Sequence, residues 1–401
     1  MFYLKMQAKM LLPASTIHYI IEEFQDLHSS GVHNVLGKLF DKLTAFDIPE
    51  ASINNIIQEL SQNDFLTQFN KGVLRSDKTR KTFFKENFSY IEPPQIYLGC
   101  DRTGKKRFLY YVPIKKNLKP LLGQPTVQEQ YKQSKLHQSK DMLLEDVSDG
   151  QNVKDNLLLQ QYPSSLSLML YQDAFEVVNP LGPGKTKHKI LAVYMTLGEI
   201  LPHNRSSVDT MQLVVLCREA DFKTFGHNKV FASLIADLKD LEETGFLAAD
   251  GNMIKAVLIA FLGGNLGSHC IGGFTENFSC SKHFCRYCLV DREGFINNPL
   301  ALGPKRTADN YKDSIEILFT TDQSVVNGIK CNSVFNSLKY FHVCSGLPPC
   351  LGHDLFEGVV SGDLSLYIDT LVRVEKHFTY NELNRAIAKF KHIGSFILRL
   401  Q

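Results

Sequence analysis

Four strand-like apolar runs between Leu166 and Leu262 restrict what this chain can fold into more than anything else in it. Residues 166–178 form the first and stop at an Asn179-Pro180-Leu181-Gly182 turn. Residues 188–197 and 210–217 form the second and third. Residues 252–262 form the fourth, ending at Gly263-Gly264, and residues 229–244 before it read as a helix. Three consecutive strands, a helix and a further strand predict an α/β domain, a mixed sheet flanked by helices.

At 401 residues the chain has room for more than that one domain, and with 44% hydrophobic and 21% charged residues it reads as globular. Residues 1–70 read as a helical region. Ile17, Ile20, Ile21 and Phe24, then Val35, Leu36, Leu39, Phe40 and Leu43, then Ile53, Ile56, Ile57 and Leu60 recur at helical spacing, which predicts amphipathic helices packed as a bundle. Pro13 followed by Ser15-Thr16 places a helix start near residue 15. Residues 124–158 are polar, rich in Gln, Ser, Lys and Asp, and predict a linker or mobile loop. The remainder, 159–401, is the α/β core with an insert at about 275–345.

The net charge of +2 conceals a strong local imbalance. Residues 71–119 hold thirteen Lys/Arg against four Asp/Glu, a balance of +9 that leaves about −7 for the rest of the chain. Aromatics are interleaved throughout, and residues 71–123 make one basic, aromatic-rich region. Lysines and arginines neutralise phosphates and aromatic rings stack on bases, so Lys78, Arg80, Lys81, Lys105, Lys106 and Arg107 are candidate nucleic-acid contacts. The plain alternative is a solvated basic face over a small sheet, in which residues 107–114 alternate like a strand.

No run of 18 apolar residues is present and the first residues lack a long apolar segment, so a site inside the cell and no membrane partner are expected. Nine cysteines, an odd number, then read as free thiols or metal ligands rather than a disulfide framework. Two sites concentrate them. Cys285-Arg286-Tyr287-Cys288 offers two thiolates from one loop at a spacing that tetrahedral Zn²⁺ accepts, and Cys350-Leu351-Gly352-His353 is a second pair of suitable type. Together Cys285, Cys288, Cys350 and His353 would form a structural Zn²⁺ site, with Cys280, His283 and Cys344 in reserve; ordinary buried thiols are the alternative. The second pair lies in Leu347-Pro348-Pro349-Cys350-Leu351-Gly352-His353-Asp354-Leu355-Phe356-Glu357-Gly358-Val359. In a helix beginning near Gly352, His353 and Glu357 share a face, and Leu355, Phe356, Val359 and Val360 can point to a core. A carboxylate in the first turn after a Pro-Pro pair is also what any helix start shows. Thr379-Tyr380-Asn381-Glu382 reads as a capped start of a later helix.

This Pro-Pro box resembles a Leu-Pro-Pro-Asp-x-x-His-Asp-x-x-Glu-Gly-Val box of animal relatives of the CACTA (En/Spm)-type DDE transposases. Two further blocks are similar to that family in the same order. They are 170–182 followed by 187–190, and Gly264-Asn265-Leu266-Gly267-Ser268-His269 with Gly272-Gly273-Phe274-Thr275-Glu276 after it. The Cys-x-x-Cys block lies between the second of these and the Pro-Pro box. The likeness spans roughly residues 160–390.

It implies an RNase-H-like core and an ancestral reaction of metal-dependent DNA strand cleavage and transfer, in which carboxylates hold two Mg²⁺ or Mn²⁺ ions. Asp173 falls at the first acid position and Glu357 at the third. Gly264 stands where the family has its second Asp, so the resemblance implies a DNA-binding, nuclear or nucleocytoplasmic protein whose cutting is impaired. A still-active nuclease that recruits Glu276 or Asp291, and a zinc-organised protein-interaction module, are the rival expectations. Cys350 also departs from the family's Asp. Similar proteins extend beyond both ends of this chain, which suggests a shortened copy.

Overall fold

The computed structural model describes residues 6, 10, 12–62, 76–88, 90–137, 139, 143–176, 189–248, 251–300 and 302–389. The chain divides into two compact units, Met1–Glu92 and Pro93–Gln401.

In the first unit, α1 (Ala14–Thr44) starts directly behind Pro13, where the sequence places it, and α2 (Glu50–Gln62) and α3 (Asp77–Asn87) follow. Ser76 and Thr79 close a capping box at the start of α3. These helices pack together only in part. Ile17 and Ile21 are buried, with Phe84 packed against them, and Ile53 is buried, but Phe24, Leu27 and Val35 stay more than half exposed. In the second half of the α1 stripe Leu36, Leu39, Phe40 and Leu43 are partly buried, and α2 contacts α1.

The second unit is built on a six-stranded mixed sheet. Its strands are β1 (Gln95–Cys100), β2 (Lys106–Tyr111), β3 (Leu166–Glu176), β4 (Lys189–Leu197), β5 (Gln212–Arg218) and β8 (Ala256–Leu262), in the spatial order β1-β2-β5-β4-β3-β8. All neighbours are antiparallel except β3 and β8, which run parallel. A two-stranded hairpin of β6 (Phe246–Leu247) and β7 (Met253–Ile254) precedes β8. The mixed sheet and the strand order within 166–262 match the sequence expectation.

Two boundaries differ. The hairpin β1–β2 is not a separate basic region: Tyr110 and Tyr111 of β2 pair with Leu216 and Val215 of β5 and extend the sheet. Leu98, Leu109 and Tyr111 are buried in the main core, and that burial fixes the hairpin there. Residues 124–158 are not a linker where they are described. They contain α5 (Pro125–Leu136), which follows α4 (Ile114–Leu122), then a 3₁₀ turn at Val147–Asp149 and helical turns at Gln151–Lys154 and Leu157–Gln161. Few apolar residues suffice for this because each is placed well: Val127 and Leu158 are fully buried. Arg205 ties the segment down through Asp146 at 2.7 Å.

One face of the sheet, with Leu168, Leu170, Leu191, Val193, Met195, Val215 and Cys217, packs under α4, α6 (Glu219–Val230) and α7 (Ala232–Glu243) as the main core. Each such Leu contributes on the order of 1.5–3 kcal/mol by leaving water. The sequence reads one helix before β8, at 229–244, which corresponds to α7; the chain adds α6 before it, kinked internally at Gly226 (φ +77°) and separated from α7 at Phe231. On the other face Val257, Ile259 and Met169 pack with Leu158 near β8 and β3. Toward β1 and β2 the side chains of Tyr97, Phe108 and Tyr110 on that face are exposed among the described residues.

Beyond β8 come α8 (Asn265–Gly272) and α9 (Ala308–Thr320), a π-helical segment Leu351–Val360, α10 (Ser361–Asp369), a second π-helical turn Thr370–Val374, and α11 (Tyr380–Lys389). The start of α11 is capped as expected, with the Thr379 N–H donating to Glu382 Oε2 at 2.7 Å. Leu355, Phe356, Val359 and Val360 do not reach a core: they are 40%, 62%, 57% and 37% exposed. No helix among the described residues is long and apolar enough to cross a membrane.

Candidate functional site

The parallel pairing of β3 with β8 assembles the site. Tyr171 is the register partner of Leu262, so two residues further on Asp173 and Gly264 lie level at the same end of the sheet. Gln172, between them in β3, is buried and turns toward α8. Its side chain explains two glycines of the 264–269 block. A Cβ at Gly267 would meet Gln172 Nε2 at 2.5 Å, and one at Gly263 would meet Gln172 Cγ at 3.2 Å, so the two glycines leave room for the Gln172 side chain in the place it takes. His269 of the same block is buried, and its Nδ1 donates to the Thr275 carbonyl at 2.7 Å. Burial, with Arg286 and Arg306 nearby, lowers its pKa to about 4, against the bond to Thr275.

Gly264 is the N-cap of α8, where Asp would be a good cap and glycine contributes no side chain. Over it lies His353: a Cβ at 264 would be 3.4 Å from His353 Nε2. The other ring nitrogen, Nδ1, faces Cys350 Sγ at 3.1 Å. That hydrogen bond raises the His353 pKa above its ordinary value despite the cost of burial, and the carboxylates of Glu357 and Asp173 raise it further. Burial alone would push the Cys350 thiol up, but the backbone N–H groups of His353 and Gly352 and the His353 ring outweigh it and lower its pKa. The structure therefore brings Asp173, the Gly264 position, His353 and Glu357 into one neighbourhood. Leu351–Val360 is π-helical, with i→i+5 hydrogen bonding rather than the expected α-helical turns, a distortion that recurs at functional sites.

The four expected zinc donors do not come together. Among the described residues no group of three or more His, Cys, Asp or Glu side chains is placed to hold a metal ion. Cys350 and His353 face one another, while Cys285 and Cys288 share a hydrogen bond of their own. The Cys285 side of that loop is braced by the buried Arg306, whose Nε donates to the Cys285 carbonyl at 2.9 Å. Of the reserve donors, Cys344 lies on this side, its Sγ 3.5 Å from the Thr307 carbonyl.

A different bridge joins the insert to the Pro-Pro box. Arg286, 4% exposed, donates to Asn265 Oδ1 and to the Pro348 carbonyl, and its Nη2 is 3.6 Å from Asp354 Oδ2. Asn265 Nδ2 donates to Asp354 Oδ1, and Asp354 Oδ2 accepts the Cys350 N–H at 2.8 Å. The sequence reading missed this triad. Its signal was an arginine inside the Cys-x-x-Cys loop and the second acid of the His-Asp pair.

The donor chemistry does not fit a two-metal centre either. Asp173 and Glu357 are the only carboxylates of the expected set. Gly264 offers no ligand, and the His353 ring lies over it where the missing carboxylate would stand.

The six basic candidates fall in both units. Lys78 and Lys81 are exposed on α3, but Arg80 is 6% exposed, turned into the first unit and unavailable to a phosphate. In the second unit Lys105 and Lys106 are exposed, whereas Arg107 is held by Asp101 at 2.5 Å and lies 3.6 Å from Asp221. Lys71 and Arg75, and the half of the Asp173 block beyond Glu176, lie outside the described residues.

No protein-family model matches this sequence, and no curated protein matches it significantly.

Proposed function

We propose that this protein is a DNA-binding relic of a DDE-type transposase that no longer cuts DNA. The observation that carries the reading is the meeting of the Asp173, Gly264 and Glu357 positions around His353 at one end of β3 and β8. These positions are 184 residues apart in sequence at their extremes, and the resemblance to CACTA-type transposases assigns the same three to the catalytic acids. The strand pattern supports it: three antiparallel strands β3, β4 and β5, with β8 parallel to β3 on its far side, is the order of an RNase-H-like sheet. Loss of cleavage follows from the donors. With two carboxylates in place of three, and the His353 ring over the position of the missing one, the site is poorly furnished to hold the cations that such strand cleavage requires.

Binding is carried elsewhere, by the exposed lysines and rings of the basic stretch. The test is fluorescence anisotropy of the full chain with labelled DNA from low to physiological salt, together with a supercoiled-plasmid nicking assay in Mg²⁺ and Mn²⁺. The reading expects affinity that falls linearly with log salt, and no nicking. Absence of binding even at low salt would remove the DNA role. Nicking by the unaltered chain would remove the inactive one.

A further inference from the structure

At the far edge of the sheet, β1 and β2 present one face as three cross-strand pairs: Gln95 opposite Tyr110, Tyr97 opposite Phe108, and Cys100 opposite Lys106. Strict alternation would turn Tyr97 and Cys100, three residues apart, to opposite faces. The bulge between Tyr97 and Gly99 inserts the residue that brings them to the same one, and the approach of Tyr97 Oη to Cys100 Sγ at 3.3 Å follows from it. Gly99 adopts φ +133°, and a Cβ there would meet Phe225 Cε1 at 2.9 Å, so the bulge depends on glycine.

On this face Tyr97, Phe108 and Tyr110 are 50%, 40% and 43% exposed, large for rings on a sheet whose opposite side is fully packed. The Tyr97 and Phe108 rings lie 5.5 Å apart at 52°, and Gln95 Nε2 donates to the Tyr110 hydroxyl at 2.5 Å. Charge is divided unevenly. The hairpin's acid, Asp101, is taken by Thr103 and Arg107, while the side chains of Lys105 and Lys106 make no ion pair among the described residues. The result is a rigid row of rings with unbalanced cations at one end.

We infer that this face is a stacking platform for the unpaired bases of single-stranded nucleic acid. The inference rests on the DNA-binding reading above and narrows its substrate. An apolar protein partner would meet tyrosine hydroxyls, a glutamine and two unpaired lysines here. A duplex would offer phosphates to the lysines but keep its base faces hidden from the rings. A single strand uses both. The geometry also gives a direction. Tyr110, Leu216, Ala192 and Asp173 are successive register partners across β2, β5, β4 and β3. The platform and Asp173 therefore lie in one row on the same sheet face, roughly 14 Å apart at ordinary strand spacing. A strand stacked on the hairpin lies along the side of the sheet that bears the acid and histidine cluster.

The test compares the full chain binding a fluorescein-labelled oligo-dT and a duplex of the same length. The single strand should bind roughly tenfold tighter, and Tyr97→Ala with Phe108→Ala should lower its affinity roughly tenfold or more while leaving the salt slope unchanged. Since the chain has no tryptophan, its tyrosine emission is directly visible and should be quenched by oligo-dT. Phe108→Leu keeps an apolar side chain in the strand and removes the ring, so it serves if the double variant fails to fold. It should weaken the single strand and spare the duplex. Equal affinity for both DNAs, unaffected by these changes, would overturn the platform and leave the DNA-binding reading standing. No binding of either would overturn both. A parent chain that self-associates and is made monomeric by Phe108→Leu would assign the face to a second copy and also overturn the inference.

Discussion

The two ends of one sheet face make opposite use of their side chains. At the β3–β8 end, Asp173, Asn265, Arg286, Cys350, His353 and Asp354 have the composition of a reactive site, yet most of them are engaged with one another. At the β1–β2 end, Tyr97, Phe108, Tyr110, Lys105 and Lys106 are common surface residue types; the rings touch one another or a neighbouring side chain, yet each is at least 40% exposed, and the two lysines make no ion pair among the described residues. Polar groups that satisfy each other away from water hold a fold together, while exposed rings and unpaired cations leave surface for a ligand. On the proposed reading the region that resembles a catalytic centre is structural, and the binding chemistry lies three strands away.

The largest effect that separates the two ends is on stability. Arg286→Ala removes the hub of the Asn265–Asp354 bridge and leaves a part-buried carboxylate facing an amide with no cation. Unfolding in urea should lose roughly 3–4 kcal/mol, discounted within the range for breaking a buried pair because Asp354 retains some exposure to solvent. A loss below 1 kcal/mol would mean that the bridge does not hold the insert to the Pro-Pro box.

Next comes pH. The folded chain keeps His269 neutral with a pKa of about 4, whereas the unfolded chain takes up its proton near pH 6.5. The unfolded state therefore binds more protons between those values, and stability should fall as pH drops from 6.5 to 4, by roughly 2–3 kcal/mol. Glu199 acts with the opposite sign, since burial raises its pKa and its charged form is disfavoured in the fold. The contribution of His269 is therefore read as the difference between the parent and His269→Gln, which should show a flatter profile in that window. Parallel profiles would show that His269 is not excluded from protonation.

How much of this was legible in the sequence follows the same division. The strands 166–262 could be read because they are long apolar runs between turn residues, and packing then chose what local pattern already favoured. Asp173, Gly264 and Glu357 were identified through a motif resemblance; their proximity required the parallel β3–β8 register, which no local pattern encodes. The four zinc candidates stay as two pairs among the described residues for a related reason: Cys-x-x-Cys and Cys-x-x-His spacing fixes each pair but not the distance between pairs. The hairpin was read as a separate basic region because lysine content dominates its composition, and three buried residues, Leu98, Leu109 and Tyr111, were enough to fix it to the main sheet. Arg286 had only its place inside the Cys-x-x-Cys loop as a signal, since a lone arginine in a loop carries no periodicity and nothing local names its partners Asn265 and Asp354.

A smaller effect probes the closed end directly. Gly264→Asp restores the acid that the resemblance assigns to this position, and its carboxylate would arise beside His353 Nε2. The already raised pKa of His353 should climb further, as followed by NMR of the imidazole. Nicking should remain absent with this change alone, because the His353 ring still occupies the space above residue 264; it should require His353→Ala as well. Mn²⁺-dependent nicking by Gly264→Asp alone would show that His353 gives way and that the site is closer to competence than its pairing indicates.

The smallest effect on stability belongs to the open end, and there the absence of an effect is informative. Lys105→Ala with Lys106→Ala removes two exposed ammonium groups that hold nothing in the fold, so urea unfolding should shift by no more than about 0.5 kcal/mol. The log–log salt slope for oligo-dT binding should nevertheless flatten by roughly 1.4, about 0.7 for each single-strand phosphate that is no longer neutralised. A stability loss comparable to that of Arg286→Ala would mean that these lysines are part of the packing after all, and the contrast between the two ends would fail. An unchanged slope with unchanged stability would move phosphate neutralisation to Lys78 and Lys81 of the first unit.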